Sequence, residues 1–320
     1  MTCVVVGGDD RGVLPTVTPA RFHRLAVVCL VITLVLVVSG AAVRLTDSGL
    51  GCADWPGCQQ ERFVPALQLN PMVEFLNRVL SAAGGLMALF TGLAALAMKP
   101  RRRDLVLLCV AQGSTYLITG LLGAVVVAYH LTPQIVTGHL LLALVLVGLA
   151  AVLVERSATE PTTPDPVAPA TRRLQWVLLG ALSLATLAGT VVTGSGPHGG
   201  DEDAPRYGYD LETAARVHSL AVVVFVGVLL VVLQRLQREG AVQAFRRGRQ
   251  LLAVACAQAA VGWVQYFTGV PAVLVGVHVL GASLVWLAAV RLALVSTGRL
   301  DGCPSPPLPS RSSVPQATPS

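Results

Sequence analysis

The feature that most constrains this chain is a series of eight long apolar runs, near residues 23–43, 74–98, 105–128, 134–154, 174–194, 214–234, 250–268 and 271–291. Each approaches the roughly 20 mostly apolar residues that a helix needs to cross a bilayer. Backbone amides in hydrocarbon must bond within their own segment, so such runs fold as helices packed side by side. With 54% hydrophobic and 12% charged residues among 320, the chain cannot be one large soluble domain. The expected fold class is an all-α membrane protein of eight transmembrane helices. The first run is too long for a cleaved signal and lacks a small-residue cleavage pattern before Arg44, so it reads as a span.

A net charge of +6 raises the question of nucleic acid, but the placement of the basic residues answers it. They mark one side of a membrane. Lys99, Arg101, Arg102 and Arg103, then Arg156, Arg172 and Arg173, then Arg235, Arg238, Arg246, Arg247 and Arg249 fall in alternate connections, while the opposite loops hold Arg44, Arg62 and Arg206. By the positive-inside rule both termini are cytoplasmic and the loops after helices 1 and 5 face outward. A multi-pass protein of a bacterial-type plasma membrane, with lipid and no nucleic acid as partner, is the expectation.

The halves of the chain repeat. His139 and His278 are 139 residues apart, Asn77 and His218 are 141 apart, and Gly123 and Gly262 each stand 16 before the later histidine of their half. Thr46-Asp47-Ser48-Gly49 is matched by Thr193-Gly194-Ser195-Gly196. Each half has an even number of spans, so the two are related by an axis along the membrane normal, unlike the inverted repeats of many transporters. The predicted organisation is a disordered tail over 1–20, a four-helix half over 21–156, a cytoplasmic linker over 157–172, a second half over 173–298 and a Ser- and Pro-rich tail over 299–320.

Ionisable groups inside a bilayer are costly and are kept for function. His139, His218 and His278 follow Pro133, Asp210 and Pro271 by six to eight residues, which sets all three roughly 9 to 12 Å below the outer helix ends. Two imidazoles projecting inward from facing helices, the arrangement expected of His218 and His278, suit a six-coordinate heme iron. No C-x-x-C-H sequence is present for covalent attachment, and zinc would want further ligands at the same level. The plainer reading of each histidine is an interhelical hydrogen bond. Asn70-Pro71 is expected to open helix 2 as cap and first residue, placing Glu74, Asn77 and Arg78 on one face. Glu74 reads either as a helix-dipole carboxylate or as a reactive group. Arg78 and Arg216 read either as residues reaching the outer surface or as partners of heme propionates. Cys29, Cys109 and Cys256 fall in apolar spans as packing residues, and Cys3 and Cys303 in the tails. Cys52 and Cys58 flank Pro56-Gly57 in an outward, oxidising loop, as a disulfide or redox pair or as two free thiols. His23, His130, His198 and the acidic run Asp201, Glu202 and Asp203 read as solvated or interfacial.

The stretch Val43-Arg44-Leu45-Thr46-Asp47-Ser48-Gly49-Leu50-Gly51-Cys52-Ala53-Asp54-Trp55-Pro56 resembles the first outer loop of heme A synthases, and Glu74-Phe75-Leu76-Asn77-Arg78 resembles that family's E-x-x-H-R segment. With the later histidines the resemblance covers residues 22 to 295. It implies oxidation of the C8 methyl group of heme O to a formyl group, through a hydroxymethyl and a hydrated aldehyde, giving heme A for terminal oxidases. It also implies heme b on His218 and His278, the iron of heme O facing His139, and Glu74 beside the reacting methyl. Cys52 and Cys58 would be the outer-loop pair. Heme O synthase and the oxidase assembly machinery are the partners it suggests. Two departures stand out: Asn77 occupies the position of the family's first histidine, and the loop after helix 5 lacks the second cysteine pair of some members. The alternatives are a b-type cytochrome or heme-handling protein without oxidase chemistry, and a transporter, which would need broken helices at mid-membrane.

Overall fold

The computed structural model describes residues 16–52, 57–58, 64–65, 67–158 and 165–297. Residues 1–15 of the expected tail over 1–20, the whole tail over 299–320, Arg62, Cys3, Cys303 and the Ala53–Pro56 part of the outer-loop motif lie outside the described residues. Eight helices follow one another: α1 Pro19–Leu45, α2 Leu69–Leu96, α3 Arg103–Ala128, α4 Pro133–Ser157, α5 Pro169–Ser195, α6 Leu211–Arg238, α7 Val242–Phe267 and α8 Ala272–Thr297. At 25 to 28 residues each is about 40 Å long, enough for the hydrocarbon core and a margin on both sides. Seven are apolar enough to span by composition. The exception, α7, carries Arg246, Arg247, Arg249 and Gln250 in its first turns and Gln258 and Gln265 further on, yet it packs on α6 and α8 and completes the second bundle. The chain is a multi-pass membrane protein.

The helix ends follow local rules. Thr18 caps α1, accepting from the Arg21 amide, with Pro19 in the first turn. Asp210 caps α6 through the Thr213 amide at 2.8 Å, and that bond holds its carboxyl below the usual carboxylate range. The expectation for Asn70 is corrected. The helix α2 begins at Leu69, after Gln68, and Asn70 Nδ2 donates instead to the Asp47 carbonyl at 3.1 Å. Pro71 is tolerated inside this first turn because its missing N–H would have had no helical partner. Ahead of α1, Val17 pairs with the end of α2, its amide reaching the Ala97 carbonyl at 3.1 Å.

Within each half the packing order is the same: α1 lies against α2 and α4, and α3 bridges α2 and α4, as α5 lies against α6 and α8 and α7 bridges α6 and α8. In neither half do the second and fourth helices pack directly; they face each other diagonally across the bundle. The halves meet where α1 and α4 lie against α8, and α4 against α5. Small buried residues such as Ala26, Ala88, Ala150, Ala185, Ala244 and Ala289 let the helices approach closely, while Val31, Leu93, Leu107, Leu184 and Val223 are exposed to lipid. Cys29 and Cys109 are buried as expected; Cys256 is exposed on the lipid side of α7.

Candidate functional site

Polar side chains at the expected depth are each seated against a glycine of the neighbouring helix. A Cβ added at Gly262 would lie 2.9 Å from His278 Cε1, at Gly189 3.1 Å from His218 Cε1, at Gly123 3.4 Å from His139 Cε1, and at Gly40 4.0 Å from Asn77 Oδ1. The same relation recurs four times, once for each second and fourth helix. The glycine removes the side chain that would occupy the imidazole's place, so the ring can lie on a helix backbone.

His218 and His278 are brought together across the second bundle, with ring centroids 6.4 Å apart and ring planes inclined by 73°. Two metal–nitrogen bonds of about 2 Å and the two ring radii together give a centroid separation of about 6 Å for imidazoles on opposite sides of one metal ion. His218 Nδ1 lies 2.9 Å from the Ala185 carbonyl. A carbonyl only accepts, so Nδ1 holds the proton and Nε2 keeps its lone pair, the state a metal ligand needs. His278 Nδ1 is buried and makes no hydrogen bond among the described residues. These features fit a planar metal-centred group between α6 and α8. Among the described residues no cluster of three or more His, Cys, Asp or Glu side chains is placed to hold a bare ion.

The first bundle differs. His139 Nδ1 is likewise buried without a hydrogen-bond partner among the described residues. Asn77, the diagonal counterpart of His218, accepts from the Ser39 hydroxyl at 2.8 Å through its amide oxygen. Glu74 is 4% exposed, and its carboxylate accepts the Cys52 amide at 2.8 Å and Arg78 Nη2 at 2.5 Å. Arg78 also donates to the Gly57 carbonyl. Cys52 and Cys58 form a disulfide and pack with Phe75. Glu74 and Arg78 therefore grip both sides of the disulfide loop and hold it over the N-terminal end of α2. Arg216 is exposed, paired with Glu212 one turn earlier.

A family model described as cytochrome oxidase assembly protein, COX15-CtaA, matches residues 23–70 and 67–199. The chain belongs to this family. Similar proteins include heme A synthases of Shewanella oneidensis, 30% identical over 179 residues (49% of this chain, 53% of the relative), and of Bacillus licheniformis, 28% identical over 130 residues (40% and 42%). One from Exiguobacterium sibiricum is 26% identical over 132 residues, 40% of this chain and 44% of the relative. The chain spans about half the length of the curated relatives it matches.

In this member of the COX15-CtaA family one residue that reads from the sequence as solvated, His198, takes part in fixed contacts. His198 donates from Nε2 to the Val270 carbonyl at 2.9 Å, and its own carbonyl accepts Arg44 Nε at 2.6 Å. The pairing of Asn77 with Ser39 and the backing of His218 by Ala185 depend on which helix faces lie together, and no residue type announces either.

Proposed function

We propose that the chain is a heme A synthase that oxidises the C8 methyl group of heme O to the formyl group of heme A. The observation that carries this reading is the asymmetry between the two bundles. The second (residues 173–298) offers two imidazoles 6.4 Å apart, suited to a permanent bis-histidine cofactor. The first (residues 21–156) offers His139 opposite an amide already bonded to Ser39, suited to a group that must enter and leave. His218 and His278 would hold heme b, which supplies a one-electron redox centre when bound. His139 is assigned to the iron of the substrate heme. The buried Glu74 carboxylate, one helical turn from Asn77, is assigned to the reacting edge, where it stabilises positive charge or accepts a proton and, through Cys52, keeps the outer loop closed over the site. Arg78 and Arg216 are assigned to propionate edges; each already has a carboxylate one turn back, so a propionate would join an existing pair. The basic ends of α2, α4 and α6 support cytoplasmic termini in a bacterial-type plasma membrane, with heme O synthase and the oxidase assembly machinery upstream and downstream.

The test is the heme extracted from membranes of a host that makes heme O but no heme A, with and without this protein. Heme A should appear with the wild-type chain. The Glu74→Ala chain should yield heme O or its hydroxymethyl derivative. A purified protein with a low-spin heme spectrum but no heme A in the host would return the chain to a b-type cytochrome.

A further inference from the structure

Arginine is scarce on the outer side of this protein, and two of the outer arginines converge on one small cavity where the halves meet. Arg44, in the last turn of α1, and Arg206, in the loop after α5, line it together with Leu131, Pro133 and Val136. Their charges are near enough to act on each other. Arg44 donates Nε to the His198 carbonyl and Nη2 to the Thr193 carbonyl, both at 2.6 Å, and Arg206 donates Nη2 to the Pro197 carbonyl at 2.7 Å. The other guanidinium nitrogens of the pair make no hydrogen bond among the described residues, and neither arginine has a carboxylate within ion-pair distance there.

The backbone is shaped to permit this approach. The Arg206 guanidinium lies against Gly199, in space that a Cβ would fill, and Gly200 has φ +98°, a conformation open to glycine, with its missing Cβ 3.6 Å from Arg44 Cα. Two guanidiniums line this one cavity and no carboxylate does, so it carries a net positive charge that a bound anion would offset. The enclosed space is small, which suits a compact anion better than a phosphate or a lipid headgroup.

We propose that this cavity between Arg44 and Arg206 is a binding site for a monatomic anion of the halide class, with chloride as the ion available at the outer face. The same arginine bonds tie α1 of the first half to the loop of the second, so the bound ion locks the outer seam. The proposal is independent of the heme chemistry.

The experiment uses the full chain purified in detergent and exchanged into gluconate at fixed ionic strength, with tryptophan fluorescence following thermal unfolding. Chloride titrated against gluconate should raise Tm along the saturating curve of a single-site ligand. Arg206→Gln should weaken the apparent chloride affinity by about tenfold or more, Arg206→Lys should retain part of it, and Arg238→Gln, at the far end of α6, should respond like wild type. A wild-type Tm indifferent to chloride, an Arg206→Gln protein that responds equally, or protection by inorganic phosphate in place of chloride would each overturn the proposal.

Discussion

His218 is distinguished from an ordinary polar membrane histidine by the bond from its Nδ1 to the Ala185 carbonyl, which spends one ring nitrogen on the protein and leaves the other free to act as a ligand. If the pair holds a low-spin heme, His218→Ala and His278→Ala should each abolish the bis-histidine EPR signal of the purified protein, and an unchanged signal in both would remove the assignment. Asn77 is the complementary case, because an amide oxygen bonded to Ser39 is a far weaker iron ligand than imidazole. Asn77→His should create a second bis-histidine signal when the protein is loaded with heme O, and slow release of product; Asn77→Ala should leave activity largely intact. A wild-type protein that already shows two such signals would contradict this. The histidines, Asn77 and Glu74 were legible in the sequence because a polar side chain is conspicuous in an apolar run. Their partners were not: Ser39, the Ala185 carbonyl and the Cys52 amide acquire meaning only once the helices and the outer loop are placed.

At the scale of the element, the glycines opposite the polar residues show how the repeat is built. Gly123 and Gly262 are legible from their spacing to His139 and His278, whereas Gly40 and Gly189 are hidden among other small residues of α1 and α5. The clearances differ, and that difference makes a prediction. A methyl at Gly262 would stand 2.9 Å from the His278 ring, so Gly262→Ala must push the imidazole aside at a cost of about 1–3 kcal/mol. At Gly123 the distance to His139 is 3.4 Å, close to ordinary contact. Gly262→Ala should therefore shift or broaden the low-spin signal and lower Tm, and Gly123→Ala should do neither; equal effects would mean that these glycines do not set the ring positions. Helix existence was likewise readable, but the start of α7 was not. Three arginines look like loop, and the helix reaches back to Val242 because Asp165 of the linker accepts the Ala244 amide at 2.5 Å and caps the first turn. The linker also gives its Ala168 amide to Glu239, which accepts the Thr171 hydroxyl as well, so the start of α5, the end of α6 and the start of α7 are stitched together.

For the whole molecule the question is what keeps two bundles in one register, since lipid offers no hydrophobic drive to hold them. At the end that carries the loops after α1 and α5, Arg44 reaches the Thr193 and His198 carbonyls, and the Gly49 amide donates to the Gly200 carbonyl at 2.7 Å. At the opposite end Glu155 of α4 receives both Nη atoms of Arg247 on α7, at 2.8 and 2.9 Å, and Arg291 Nε of α8 at 2.6 Å. One carboxylate of the first half thus serves two guanidiniums of the second. Its side chain is 17% exposed, against 19% for Arg247 and 43% for Arg291. Breaking a fully buried pair costs about 3–5 kcal/mol, and partial exposure of the arginines reduces this to about 2 kcal/mol. Glu155→Ala removes the only negative charge that these two arginines meet among the described residues, and leaves the histidine sites toward the other helix ends untouched. Thermal unfolding in detergent should show a Tm lowered by several degrees, while the spectrum of any heme on His218 and His278 stays that of the wild type. An unchanged Tm would mean that the close packing of α4 on α8, where Gly148 lies against Trp286, holds the halves without the ion pairs.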